Sequence, residues 1–242
     1  MVETLTYSTA CSANTISSKS DRPLSSLREL RATPAIACEL MTVRDRLLST
    51  KLGYTTFRRL IKADRSMQRL IDEHFKPRSG ARVLDVGCGT GDLARLLPAC
   101  VYVGVDHNPA YVGDEAASGR QDGATFVNAD LSQLGELDIG QFDVAVALGV
   151  IHHLDDDLAV SVVAAVRDRL APGGRFVTVD PAFHPEQRTT ARLLMALDRG
   201  RFVRHPGDYE RLLRTSFSQV DVAIRHDLNP FPYTHCIIES MA

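Results

Sequence analysis

The residues best placed to do chemistry are a glycine-rich loop and three carboxylates spaced after it. Residues 83–91 read Val-Leu-Asp-Val-Gly-Cys-Gly-Thr-Gly. Gly87, Gly89 and Gly91, with Cys88 among them, permit positive φ and let a ligand approach the backbone closely. The spacing is GxGxG, not the GxGxxG of the dinucleotide fingerprint. No Lys-Ser or Lys-Thr pair follows, so the loop is not a P-loop. Asp85 precedes the glycines. A carboxylate there would repel a pyrophosphate and attract an ammonium group. Asp106, followed by His107, ends the next apolar run, where a carboxylate can accept hydrogen bonds from both ribose hydroxyls. Asp130, followed by Leu131, ends a third run and could accept the exocyclic amine of adenine. Asp106 and Asp130 each also have a plain reading as a helix cap. Their order, at the ends of successive strands, points instead to a nucleoside ligand with a cationic end.

Histidines supply the second group of candidates. His152 and His153 follow a fourth apolar run, Phe142–Leu148, and His184 follows a fifth, together with Asp180. A histidine with a pKa near 6.5 is a natural proton acceptor at such a place. Consecutive loop residues point in different directions, so at most one of the pair acts as a base. The alternative is that one packs and caps while the other shapes the pocket. His184 and Asp180 are alternative substrate contacts. His235 reads as a partly buried strand residue. Arg199, Arg201, Arg204 and His205 cluster and could meet a carboxylate or phosphate. A solvated basic surface is the favoured reading of that cluster.

The elements that must position these groups alternate. Val83–Val86, Tyr102–Val105, Thr125–Val127, Phe142–Leu148 and Arg175–Val179 read as strands. Helices are expected at Leu93–Leu97, from Pro109 to about Ala117, and along Leu158, Val162, Val166 and Leu170, with Asp155 or Asp156 as cap. Such alternation implies a mostly parallel sheet with helices on both faces. Helices over Pro185–Leu197 and Gly207–Thr215 come next. Val220–Ile224 and Tyr233–Ile238 then form two β-rich runs, and their short link favours an antiparallel pair. Before the core, three- and four-residue apolar spacing predicts two or three helices over 38–76. Tyr54 and Phe57 in them could form part of a lid. Residues 1–37 read as a poorly ordered arm, and 38–242 as one domain with its core at 80–242.

Here the sequence resembles the class I methyltransferase family, which uses S-adenosyl-L-methionine. The carriers are Val83–Gly91, Gly104-Val105-Asp106, Ala129-Asp130-Leu131, Phe142-Asp143 through Gly149-Val150-Ile151-His152-His153, and Leu170-Ala171-Pro172-Gly173-Gly174-Arg175. The resemblance implies an α/β, Rossmann-like three-layer sandwich with a seven-stranded, mostly parallel sheet and an antiparallel last strand. It puts Asp85 and Gly87–Gly91 at the methionine part of the cofactor, Asp106 at the ribose, and Asp130 and Leu131 at the adenine. Leu148 and His153, at and after the fourth strand, would approach cofactor and substrate. The acceptor is left to added pieces: the N-terminal helices, Pro181–Pro206 and the loop Asn229–Pro232.

Composition narrows the partners. The chain has 242 residues, 44% hydrophobic and 24% charged, with a formal net charge of -2. A general affinity for polyanions is not implied, so no nucleic-acid substrate is expected. The five cysteines are scattered without CxxC or CxxH spacing, which indicates no zinc site and a reducing, cytoplasmic setting. No apolar run approaches the roughly 20 residues needed to cross a bilayer, so no membrane is expected. No Asn-Pro-Pro-Tyr-type motif follows the fourth strand. A small-molecule acceptor is the first expectation, natural-product or sugar-type, with O-methylation favoured over N or C. A homodimer is left open. The competing readings are an RNA or protein methyltransferase, a cofactor-binding module or cyclase on the same fold, and a nicotinamide oxidoreductase.

Overall fold

The computed structural model describes residues 63–112, 123–196 and 201–242. The arm 1–37, the helices expected over 38–62 with Tyr54 and Phe57, the helix beyond Val112, and Arg199 lie outside the described residues.

Seven strands form one sheet: β1 Arg82–Val86, β2 Val101–Asp106, β3 Thr125–Asn128, β4 Phe142–Leu148, β5 Leu170–Pro181, β6 Gln219–Arg225 and β7 His235–Met241. Their order is β3-β2-β1-β4-β5-β7-β6. β1 to β5 pair in parallel, while β7 runs antiparallel to both neighbours, β5 and β6. The resemblance thus gave the right sheet, and the tail strands pair as their short link implied.

Side-chain alternation sorts each strand between two faces. Leu84, Val86, Ala145, Ala147, Phe176 and Ile238 face one core. Val83, Val144, Val146, Val177 and Ile237 face the other. The central strands are apolar on both sides because both faces are covered. Helix α3, Asp156–Asp168, covers the first with Ala159, Val162, Val163 and Val166, all fully buried. Helix α1, Ala63–Leu70, continues into a π turn at Ile71–Phe75 and covers the second with Leu70, Ile71 and Phe75. The Asp155 side chain accepts from Leu158 N and caps α3.

Several boundaries differ from expectation. Only a single 3-10 turn forms at Leu93–Arg95, where a helix to Leu97 was expected. Pro98 follows, and a proline disfavours helical geometry in the residue before it. Leu170 is the first residue of β5, not part of the α3 stripe. Pro172-Gly173-Gly174 lies inside β5 as an irregularity: Phe142 pairs with Leu170, and Val144 next pairs with Arg175. Helix α2 is described only over Pro109–Val112. Helix α4 runs over Thr189–Ala196, starting later than expected, because the Gln187 side chain accepts from His184 N in a turn before it. Helix α5 begins at Pro206, a favoured first helical position, and ends at Leu213.

Candidate active site

The carboxyl ends of β1, β2 and β4 meet at the glycine loop. Gly87 N and Cys88 N both donate to Val105 O, at 2.8 and 3.0 Å, and tie the loop to β2. Gly91 N donates to Cys88 O at 2.9 Å and closes the turn. Gly87 has φ +71°, and a Cβ there would stand 2.6 Å from a Val150 methyl. Glycine is therefore required on two counts. At Gly89, φ is +53° and nothing lies within 4 Å of where a Cβ would point, so that face of the loop is open. The Cys88 thiol packs under Gly104, whose absent Cβ would fall 2.7 Å from Sγ. The Cys88 backbone belongs to the loop, but its side chain fills space over β2.

Asp106 is buried, and each oxygen already accepts one backbone N–H. Gly89 N donates to Oδ2 at 2.9 Å and Asn108 N to Oδ1 at 2.8 Å. A carboxylate has about four acceptor positions, so capacity for two ribose hydroxyls is left. The exposed His107 ring stands 3.6 Å from Asp106 Oδ1, beyond hydrogen-bond distance. Asp85 is 2% exposed and accepts from Tyr102 Oη at 2.6 Å. Burial pushes its carboxyl up to about 7, against the Tyr102 hydrogen bond and with help from Asp106 and Asp92. Asp130 is exposed and caps the turn Leu131–Glu136, accepting from Ser132 N and Oγ, with Gln133 returning to its N–H. Those Ser132 bonds hold its carboxyl below the usual range. The capping role of Asp130 is thus visible, on the edge where adenine was expected. Leu131 is half-buried beside it.

The histidines divide into two groups. His152 is 5% exposed. Its backbone N–H and its ring Nδ1 both meet Asp180 Oδ1, at 3.1 and 2.8 Å, and Asp180 is 1% exposed. A carboxylate only accepts, so His152 carries its proton on Nδ1. Asp180 Oδ2 is enclosed with no hydrogen-bond partner among the described residues. The exposed His153 ring lies on His152, centroids 4.0 Å apart. Leu148 ends β4 half-buried, paired with Val179. His184 sits elsewhere. Its Nδ1 accepts from Glu186 N at 3.3 Å, and its ring meets His226 edge-on at 5.8 Å. Burial pushes His235 down to about 4, leaving it neutral. Its Nδ1 is enclosed without a partner among the described residues, in keeping with a packed strand residue.

Within the basic cluster, Arg204 takes a different role from either one expected. Arg204 donates to Ile151 O, Leu154 O and Phe202 O and pairs with Asp156 at 2.7 Å. It clasps the turn that carries His152 and His153, so it is neither a solvated charge nor an anion contact. Arg201 is exposed. His205 precedes α5 without a side-chain capping bond, its ring 6.1 Å from Phe183.

A cavity of about 430 Å³ opens between α4 and the β6–β7 loop, with Glu186, Arg188, His226, Asn229, Phe231 and Tyr233 in its wall. Its loop was among the expected acceptor pieces. His226 was not singled out, although its position just after β6, on the same sheet edge, was available as a signal.

This sheet order and loop define a Rossmann-like α/β fold. Residues 84–176 match the family described as a methyltransferase domain. The ubiquinone biosynthesis O-methyltransferase of Acinetobacter baylyi is 26% identical over 126 residues, covering 50% of this chain and 52% of that protein. The tRNA U34 carboxymethyltransferase of Shewanella halifaxensis is 28% identical, over 57% of this chain and 42% of its own. Among solved structures, magnesium protoporphyrin IX methyltransferase from Synechocystis PCC 6803 with bound SAH superposes with a TM-score of 0.56 at 22% identity, covering 84% of this chain and 99% of that one. The chain spans about half the length, or less, of the curated relatives it matches. Over residues 84–176, then, the chain is similar to the methyltransferase domain family.

Proposed function

We propose that the chain transfers a methyl group from S-adenosylmethionine to a small-molecule acceptor, O-methylation being favoured over N or C, in a reducing cytoplasmic setting. The observation that carries this reading is the open Gly89 face, its N–H tied to Asp106, beside the buried acid Asp85. The residues present fit the cofactor. The glycine loop leaves room for an aminoacyl chain, Asp106 has capacity for two ribose hydroxyls, and Asp85 favours a cation over a phosphate.

When bound, the cofactor supplies an electrophilic methyl group on a sulfonium sulfur. The protein's part is alignment, exclusion of water and removal of one proton. Holding two reactants in line can supply roughly 7–11 kcal/mol of barrier reduction. His153 is the exposed ring at the end of β4 and takes the acceptor proton in this reading. Pinned by Asp180 and by the Arg204 clasp, His152 holds the His153 ring in place.

The test is methyl transfer from labelled S-adenosylmethionine across a metabolite panel. It compares wild type with His152→Ala and His153→Ala proteins that still bind cofactor. A fall of roughly 10²–10⁴ in turnover for His153→Ala is expected of a general base. Near wild-type turnover in both variants would remove the base assignment.

A further inference from the structure

The cavity between α4 and the β6–β7 loop is not part of the donor site. β6 lies three strands from β4 in the sheet. At just under 5 Å per strand, its edge stands roughly 10–15 Å from the end of β4. The His226 end of the cavity, after β6, is therefore its far end, while Thr234 lies beside β5, its carbonyl accepting from Ala182 N at 3.1 Å.

The wall is built in advance. Thr234, fully buried, holds the His226 ring through Oγ1 and Nδ1 at 3.0 Å, and His184 packs edge-on against the same ring. Asn229 lies 3.4 Å from His235 Nε2, a contact that orients its amide. Phe231 and Tyr233 stand at 75° to each other with centroids 5.8 Å apart, giving a ring face beside the polar groups. Glu186 and Arg188 bring one charge of each sign to the lining. Ligand pockets are usually apolar with a few convergent polar groups. This one instead combines several hydrogen-bonding side chains, no net carboxylate or guanidinium charge, and an aromatic face. That chemistry suits an uncharged, hydroxyl-rich ring with an apolar C–H face.

We propose that this cavity is a subsite for a glycosyl unit, which forms the part of the acceptor distant from the methylated atom. The inference rests on the methyl-transfer reading. A glycosyl unit at the His226 end of the cavity leaves the methylated atom to a second linked unit nearer β4.

Saturation-transfer NMR on the full chain tests it, with p-nitrophenyl β-D-glucoside, p-nitrophenol and p-nitrophenyl phosphate as probes. A parallel calorimetric titration with S-adenosylmethionine reports on the donor reading alone. The expected result is transfer onto the sugar protons of the glucoside, retained when S-adenosylhomocysteine is added. The glucoside Kd should rise at least tenfold in Asn229→Ala and Phe231→Ala, with melting temperature and S-adenosylmethionine affinity unchanged. Asn229→Asp gives a second reading should the alanine variants fold poorly. Transfer confined to the aromatic protons, preference for the phosphate, or displacement of the glucoside by S-adenosylhomocysteine would overturn the subsite. So would an unchanged Kd in the variants. Glucoside binding without any S-adenosylmethionine binding would overturn the donor reading instead.

Discussion

Asp106 and Asp85 do different work although each closes a neighbouring strand. Asp106 is a preorganised acceptor, held by Gly89 N and Asn108 N. Asp106→Ala should weaken S-adenosylmethionine binding by roughly 1–3 kcal/mol in calorimetry. Asp85 is a buried acid whose carboxyl sits near 7, against an ordinary value near 3.8. The folded protein therefore holds this proton where the unfolded chain has released it. Its contribution to stability is whole below pH 4 and is lost as pH rises towards 7. A bound cation favours the carboxylate, so cofactor affinity should rise between pH 6 and 8, with proton release. Asp85→Asn should flatten that dependence. The places of both carboxylates, at the ends of β1 and β2, were legible because each follows an apolar run. Asp130 was half legible: the sequence allowed cap or adenine contact, and its hydrogen bonds to Ser132 show the cap. The orientation of His152 towards Asp180 was not legible, since it depends on β4 and β5 lying side by side.

At the scale of elements, the site depends on two tight turns. The Gly87 turn has no room for a methyl group beside Val150. Gly87→Ala should cost about 1–3 kcal/mol in denaturant unfolding and weaken cofactor binding as well. The second turn, Ile151–His153, is closed by Arg204. Arg204→Met should lower unfolding free energy by roughly 1–3 kcal/mol, because it strips buried carbonyls of a donor. An unchanged stability with a raised acceptor KM would restore an anion-binding role. Strands were the most legible elements, since buried runs of Val, Leu and Ala end at glycine or aspartate. Helices were less so: Pro98 cut one short, and the Gln187 bond to His184 delayed α4. The role of Arg204 was hidden because its partners are backbone carbonyls far along the chain.

Across the whole molecule, one sheet edge carries both the glycine loop and the cavity. The glycine loop lies over β1, β2 and β4, and the cavity lies beyond β5 towards β6. The seven strands and the antiparallel last one came through the family resemblance, whereas the insertion of β7 between β5 and β6 was not legible, since periodicity carries no strand order. Ligand that binds only the folded state should stabilise it by about 2.7 kcal/mol at one hundred times its Kd. For a protein of this size that is a rise of roughly 5–10 °C in melting temperature. The central claim is tested most directly by calorimetric titration of the full chain with S-adenosylmethionine and, separately, with NAD. Saturable S-adenosylmethionine binding that weakens in Asp106→Ala is expected, with no NAD binding. Tight NAD binding without S-adenosylmethionine binding would contradict it.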